Sequence, residues 1–246
     1  MLDSINGGQA QATTRIYRED GESDLDLQLA IPIIYPQTTT LYQSDDEYYT
    51  RVHKTKGFLN TFFDAIDGSY CNYSAYGETG DHHGLDPTYP DPHGYQKQRM
   101  CGTFMPTNVI SVSYGMPEHG LLPESYQRRL CVEFLKLGLR GVSILFASGD
   151  DGVGSYSAFD APGITTNGCL RDGTRFSPIH PSSCPWLTNV GGIMVYPGYT
   201  VHSPESALNQ PFETDPHRSA IVSRRRIFEH LSDTYPREKR RRYVFC

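Results

Sequence analysis

The sequence predicts an α/β protein organised on a parallel sheet with flanking helices. Three observations lead there. The run Val109-Ile110-Ser111-Val112-Ser113-Tyr114 has the length and composition of a strand, and Val142-Ser143-Ile144-Leu145-Phe146-Ala147 repeats that pattern. Between them, Leu122 to Leu139 places apolar side chains at 126, 130, 134 and 137, one face of a helix. Strand, helix and strand of these lengths form a parallel βαβ unit. The rest of the chain, with 23 Gly, 17 Pro and 17 Tyr, reads as loop-rich.

Taken in order, residues 1–21 are polar and read as a surface entry segment. The stretch Glu22 to Ile34 is ambiguous in period: Leu25, Leu27 and Leu29 alternate as in a strand, whereas Leu25, Leu29, Ala30 and Ile33 fit a helix that breaks around Pro32 to Pro36. Apolar positions 58, 59, 62, 63 and 66 predict a packed helix. Residues 81–107 carry Asp, His, Pro and Gly and predict a long irregular loop. After the βαβ unit, a further strand is expected over Leu187 to Tyr196. Periodicity ends near Pro211, and no regular structure is expected beyond it. The expected division is a domain over residues 1–208 and a divergent basic, disordered tail over 209–246.

Charge divides the chain a few residues further on. Residues 1–213 hold 13 Lys+Arg against 24 Asp+Glu, whereas residues 214–246 hold 9 against 4. An acidic body argues against nucleic-acid binding and suits a protein that works at low pH. The Arg clusters of the tail lack the aromatic interleaving of a nucleic-acid surface. No apolar run reaches transmembrane length, and the polar start is not a signal peptide. The six cysteines, at 71, 101, 131, 169, 184 and 246, show no CxxC spacing, which supports neither a zinc knuckle nor a thioredoxin-like motif and leaves disulfides open.

Three groups could carry chemistry. Glu22 and Asp26 would lie about 6 Å apart along the axis of a helix, but about 13 Å apart on a strand. Only the helix allows a coupled carboxylate pair in which one member acts as base. The alternative role for acids in a first turn is to complement the helix dipole. Asp150 follows a buried-looking strand within Ser148-Gly149-Asp150-Asp151-Gly152. A carboxyl kept neutral there could donate a hydrogen bond to a developing oxyanion, and a plain Asp-Gly turn is the competing reading. Finally, Asp81, His82, His83, Asp86, Asp91 and His93 suggest a metal cluster, yet no HExxH spacing exists and a solvated loop fits them better.

Several ordered motifs together resemble the sedolisin family of serine-carboxyl peptidases, especially its fungal tripeptidyl-peptidase-like members. They are Gly21-Glu22-Ser23-Asp24-Leu25-Asp26-Leu27-Gln28, Ala30-Ile31-Pro32-Ile33-Ile34-Tyr35-Pro36-Gln37, Val109 to Gly115, Phe146-Ala147-Ser148-Gly149-Asp150, and Ser183-Cys184-Pro185 with Val190-Gly191-Gly192. The resemblance covers roughly residues 1–208. It implies a subtilisin-like fold, cut short on its C-terminal side, and a peptidase acting on peptides in acid, extracellular in the parent protein. It also implies that Glu22 is the general base, Asp26 the acid that orients it, and Asp150 the oxyanion-hole acid, which settles the period of residues 22–34 as helical. The family's nucleophile lies in a Gly-Thr-Ser motif, and no Gly-Thr-Ser occurs in this sequence. Its aspartate-rich calcium site is missing as well, so no calcium is expected to bind here. The chain by itself is therefore expected to be inactive, with a peptide-binding decoy as the rival reading.

Overall fold

The computed structural model describes residues 1–10, 21–53, 56–71, 82, 84–150, 178–195, 198–203, 206–212 and 215–222. Two compact units divide the chain, Met1–Thr107 and Asn108–Cys246.

In the first unit, β1 (Leu2–Ile5) pairs in parallel with β2 (Leu41–Ser44), Leu2 opposite Leu41. Between them runs α1 (Gly21–Ile34), the helix that the resemblance implied. Pro32 sits in its last turn, where its missing N–H costs one bond only. The helix then ends before Pro36, within the expected breaking region. After β2 come α2 (Glu47–His53), α3 (Phe58–Ile66) and α4 (Gly68–Cys71). As its spacing predicts, α3 is the packed element: every residue from Leu59 to Ile66 is buried. Tyr42, Phe62, Phe63 and Tyr70 form a chain of ring contacts through this core, with centroids 5.4 to 5.7 Å apart. The described residues from Gly84 to Asn108 hold no helix or strand. That irregular stretch is fastened at Cys101, which forms a disulfide with Cys71 of α4.

The second unit contains the βαβ unit. β3 (Val109–Val112) and β5 (Ser143–Ala147) are parallel, with Ile110 opposite Ile144. Between them lie the two-residue β4 (Met116–Pro117) and α5 (Glu124–Leu139). Tyr126, Leu130, Phe134 and Leu137 of α5 are all buried, as are Ile110, Ile144 and Phe146 of the sheet. Phe134 and Phe146 meet edge to face at 5.5 Å. A Schellman turn closes the helix: Gly141 N–H donates to Gly138 O, Val142 N–H donates to Leu137 O, and Gly141 takes a φ of 90°. The chain thereby re-enters the sheet within a few residues.

β6 (Ile179–His180) returns antiparallel to β4, and β7 (Thr188–Val190) joins β5 in parallel, giving the order β3-β5-β7. The strand expected over 187–196 is split. Gly191-Gly192 interrupts it, and its second half, β8 (Ile193–Met194), pairs instead with β9 (Ser206–Ala207). The stretch past Pro211, expected to lack structure, takes part in a hairpin of β10 (Asn209–Phe212) and β11 (Asp215–Val222). Charge runs had hidden the Ser219-Ala220-Ile221-Val222 segment, whose residues suit a strand. Among the described residues no helix is long and apolar enough to cross a membrane.

Candidate active site

Helix α1 puts residues 22 and 26 one turn apart, so Glu22 and Asp26 start from the same helix face. Asp26 is exposed. It belongs to the first unit, whereas Asp150 belongs to the second. Each is thus placed within its own unit.

Asp150 is exposed and lies three residues past β5, beyond the carboxyl end of a parallel strand, where ligands of such sheets collect. The backbone before it is tightly specified. Gly149 has a φ of 81°, and a Cβ there would collide with Ile179 Cδ1. A Cβ on Gly115, just past β3, would collide with Ile179 Cγ2. One isoleucine of β6 therefore lies against the carboxyl ends of two neighbouring strands. The turn after β6 is fixed to the same place, since Ser182 Oγ donates to Ala147 O at 2.8 Å and Asn189 Nδ2 donates to Ser182 O at 3.1 Å. Ser148 N–H donates to Val190 O at 2.8 Å, so β5 holds its partner up to the residue before Gly149. Asp151-Gly152, the competing turn, lies outside the described residues.

Of the residues that suggested a metal cluster, Asp81 and His83 lie outside the described residues. Asp86 is buried and accepts His82 N–H at 2.6 Å, and Asp91 accepts His93 N–H at 2.7 Å. Both acids close turns of the loop.

Two features were missed in the sequence. The first is a set of buried acids in the first unit. Asp46 accepts Tyr49 N–H at 2.9 Å, capping α2, and also accepts Tyr95 N–H at 3.1 Å. Its neighbour Asp45 is buried, and burial, reinforced by the charges of Asp46 and Asp86, raises its carboxyl to about 8 even though the Thr61 hydroxyl faces it. The dipeptide Asp45-Asp46 before a helix was a readable cap signal, but burial of its first member was not. The second feature is a cluster on α5 and the β6 turn. Cys131 and Cys184 form a disulfide, and His180 lies beside it. Burial pushes the His180 imidazole down to about 3.

Comparison with known proteins gives this arrangement a context. Aorsin of Aspergillus oryzae is 58% identical over 202 residues, covering 82% of this chain and 30% of the relative. Tripeptidyl-peptidase sed1 of Aspergillus fumigatus is 46% identical over 195 residues, covering 78% of this chain and 28% of that protein. For tripeptidyl-peptidase SED1 of Arthroderma otae the identity is 35% over 217 residues, covering 85% of this chain and 30% of the relative. The chain belongs to the sedolisin family. It spans under a third of the length of each of these sedolisin-type relatives. Among solved structures, a Pseudomonas sedolisin in complex with pseudo-iodotyrostatin is similar at 23% identity, with a TM-score of 0.32 over 47% of this chain and 28% of that one. No protein-family model matches the chain.

Proposed function

We propose that this chain carries the carboxylate part of a serine-carboxyl peptidase site and that, as 246 residues alone, it does not turn over peptides. The observation that carries the reading is the helical placement of residues 22 and 26 in α1, because only a helix lets those two carboxylates share a proton. In the complete site Glu22 takes the proton of a serine hydroxyl as that oxygen attacks a peptide carbonyl. Asp26 holds Glu22 in position, and Asp150, protonated, donates a hydrogen bond to the oxyanion. A carboxylic acid that must stay protonated restricts the reaction to acid.

The substrates in this reading are peptides or proteins, cleaved as tripeptides from an N-terminus or internally. The names of the fungal relatives support that class. An extracellular parent protein agrees with the two disulfides, which persist in oxidising compartments. No partner membrane or nucleic acid belongs to the proposal. Calcium has no role assigned in this chain either. The acids that gather among the described residues do not suit that ion: Asp46 and Asp86 accept backbone N–H groups, and burial favours the proton on Asp45.

The test is a peptidase assay of the purified chain in acid, with labelling by a peptide aldehyde that captures reactive serines. Neither turnover nor labelling is expected. A labelled serine would overturn the inactive reading, whereas saturable peptide binding without labelling would favour the decoy.

A further inference from the structure

The cluster of Cys131, Cys184 and His180 contains more ligand chemistry than a structural disulfide uses. Its three ligand atoms lie within 4.8 Å of one another, and all three residues are buried. Cys131 projects from α5, a helix of 16 residues, while His180 ends β6 and Cys184 follows it across a turn closed by Ser183 N–H to Ile179 O and Cys184 N–H to Pro181 O. Among the described residues neither ring nitrogen of His180 has a hydrogen-bond partner, although the residue is only 1% exposed. A buried imidazole without partners is costly unless another chemical state of the site uses it.

We propose that the cluster has two states: the disulfide found here, and, after reduction by a thiol, a three-ligand site for a thiophilic d10 cation of the zinc class. The reducing step consumes two thiols: the Cys131–Cys184 bond breaks, each sulfur gains an electron and a proton, and the reductant leaves as its own disulfide. Metal binding then displaces the two thiol protons. Two thiolates and one neutral imidazole would fill three positions of a tetrahedron, and the fourth would be left for water or another ligand. His180 is suited to the third position because a ligand imidazole must be neutral. The metal would also preserve the link between α5 and the β6 turn that the disulfide provides in the oxidised state.

This inference is independent of the peptidase reading. Its test uses the whole chain, reduced with a dithiol and freed of it by gel filtration without oxygen. Cadmium is the probe, because cadmium–thiolate bonds absorb in the ultraviolet. Metal content by mass spectrometry gives the stoichiometry, and alkylation of Cys131 and Cys184, read on their peptides, reports protection. The expected result is that reduced chain retains cadmium with both cysteines protected, oxidised chain retains none, and the Cys71→Ser/Cys101→Ser variant still binds. His180→Phe should weaken binding by more than about tenfold, the loss that removing an outer partner of a metal ligand already causes. Reduced chain that binds no metal, or a His180→Phe variant that binds as tightly as the parent, overturns the proposal. So does loss of the folded state on reduction, because the ligands would no longer be held together.

Discussion

The side chain of Ile179 occupies the space that a Cβ on Gly149 would need. Gly149 is also the residue before Asp150 and has a left-handed φ of 81°. Gly149→Ala should therefore lose about 2–3 kcal/mol, strain and overpacking together. Removing the Cδ1 methyl with Ile179→Val in the same chain should recover part of that loss. Thermal melts of the two single variants and the double variant check the coupling.

Gly141 offers a contrast. Its φ of 90° is as demanding, but a Cβ there would meet open space. Gly141→Ala should lose only about 1 kcal/mol, from the turn that closes α5. No neighbouring substitution should restore it. Denaturant titration of the variant measures the loss.

Asp45 gives the first unit a pH dependence of definite sign. The folded carboxyl keeps its proton up to about pH 8, whereas the ordinary value for an unfolded Asp is 3.8. Between those values the unfolded state holds fewer protons than the folded one. Stability contributed by this group is thus complete below the unfolded value and is lost as pH rises towards 8, by up to about 1.4 kcal/mol per pH unit. Asp45→Asn should flatten that decline. Melting temperatures of parent and variant from acid to neutral pH compare the slopes.

Buried Asp64 of α3 faces Arg99 at 3.4 Å. Arg99→Met leaves a carboxylate in the core without that cation and should cost about 3 kcal/mol. Adding Asp64→Asn to the same chain should return part of the loss. A double-mutant cycle by chemical denaturation measures the coupling.

How much of this was legible follows from the range of each signal. The βαβ unit was readable because Tyr126, Leu130, Phe134 and Leu137 announce a helix face with no help from distant residues. Helix α1 was not readable from its periodicity, since Leu25, Leu27 and Leu29 satisfy a strand and several of its apolar residues are exposed. Only the family motifs decided it. The Gly191-Gly192 break defeated a reading based on apolar length. The position of Asp150 past the end of a strand was readable because strand ends are local features, whereas the space behind Gly149 depends on Ile179, thirty residues away in sequence, and no local pattern reports it. The burial of His180 and the pairing of the two disulfides were hidden for the same reason: contact across the fold leaves no trace in spacing.

The central claim, that Glu22, Asp26 and Asp150 are the working carboxylates of a site whose serine this sequence does not contain, has one direct measurement. Residues 1–208 are joined to the part of Aorsin that follows its matched stretch, and peptide hydrolysis by the folded chimera is followed from acid to neutral pH. The account predicts hydrolysis in acid that falls by about 10²–10⁴ in kcat with Glu22→Gln and by about 10²–10³ with Asp150→Asn, each variant retaining the melting behaviour of the parent chimera. A chimera that hydrolyses peptides equally well with Glu22→Gln, or a cooperatively folded chimera with no activity, would contradict it.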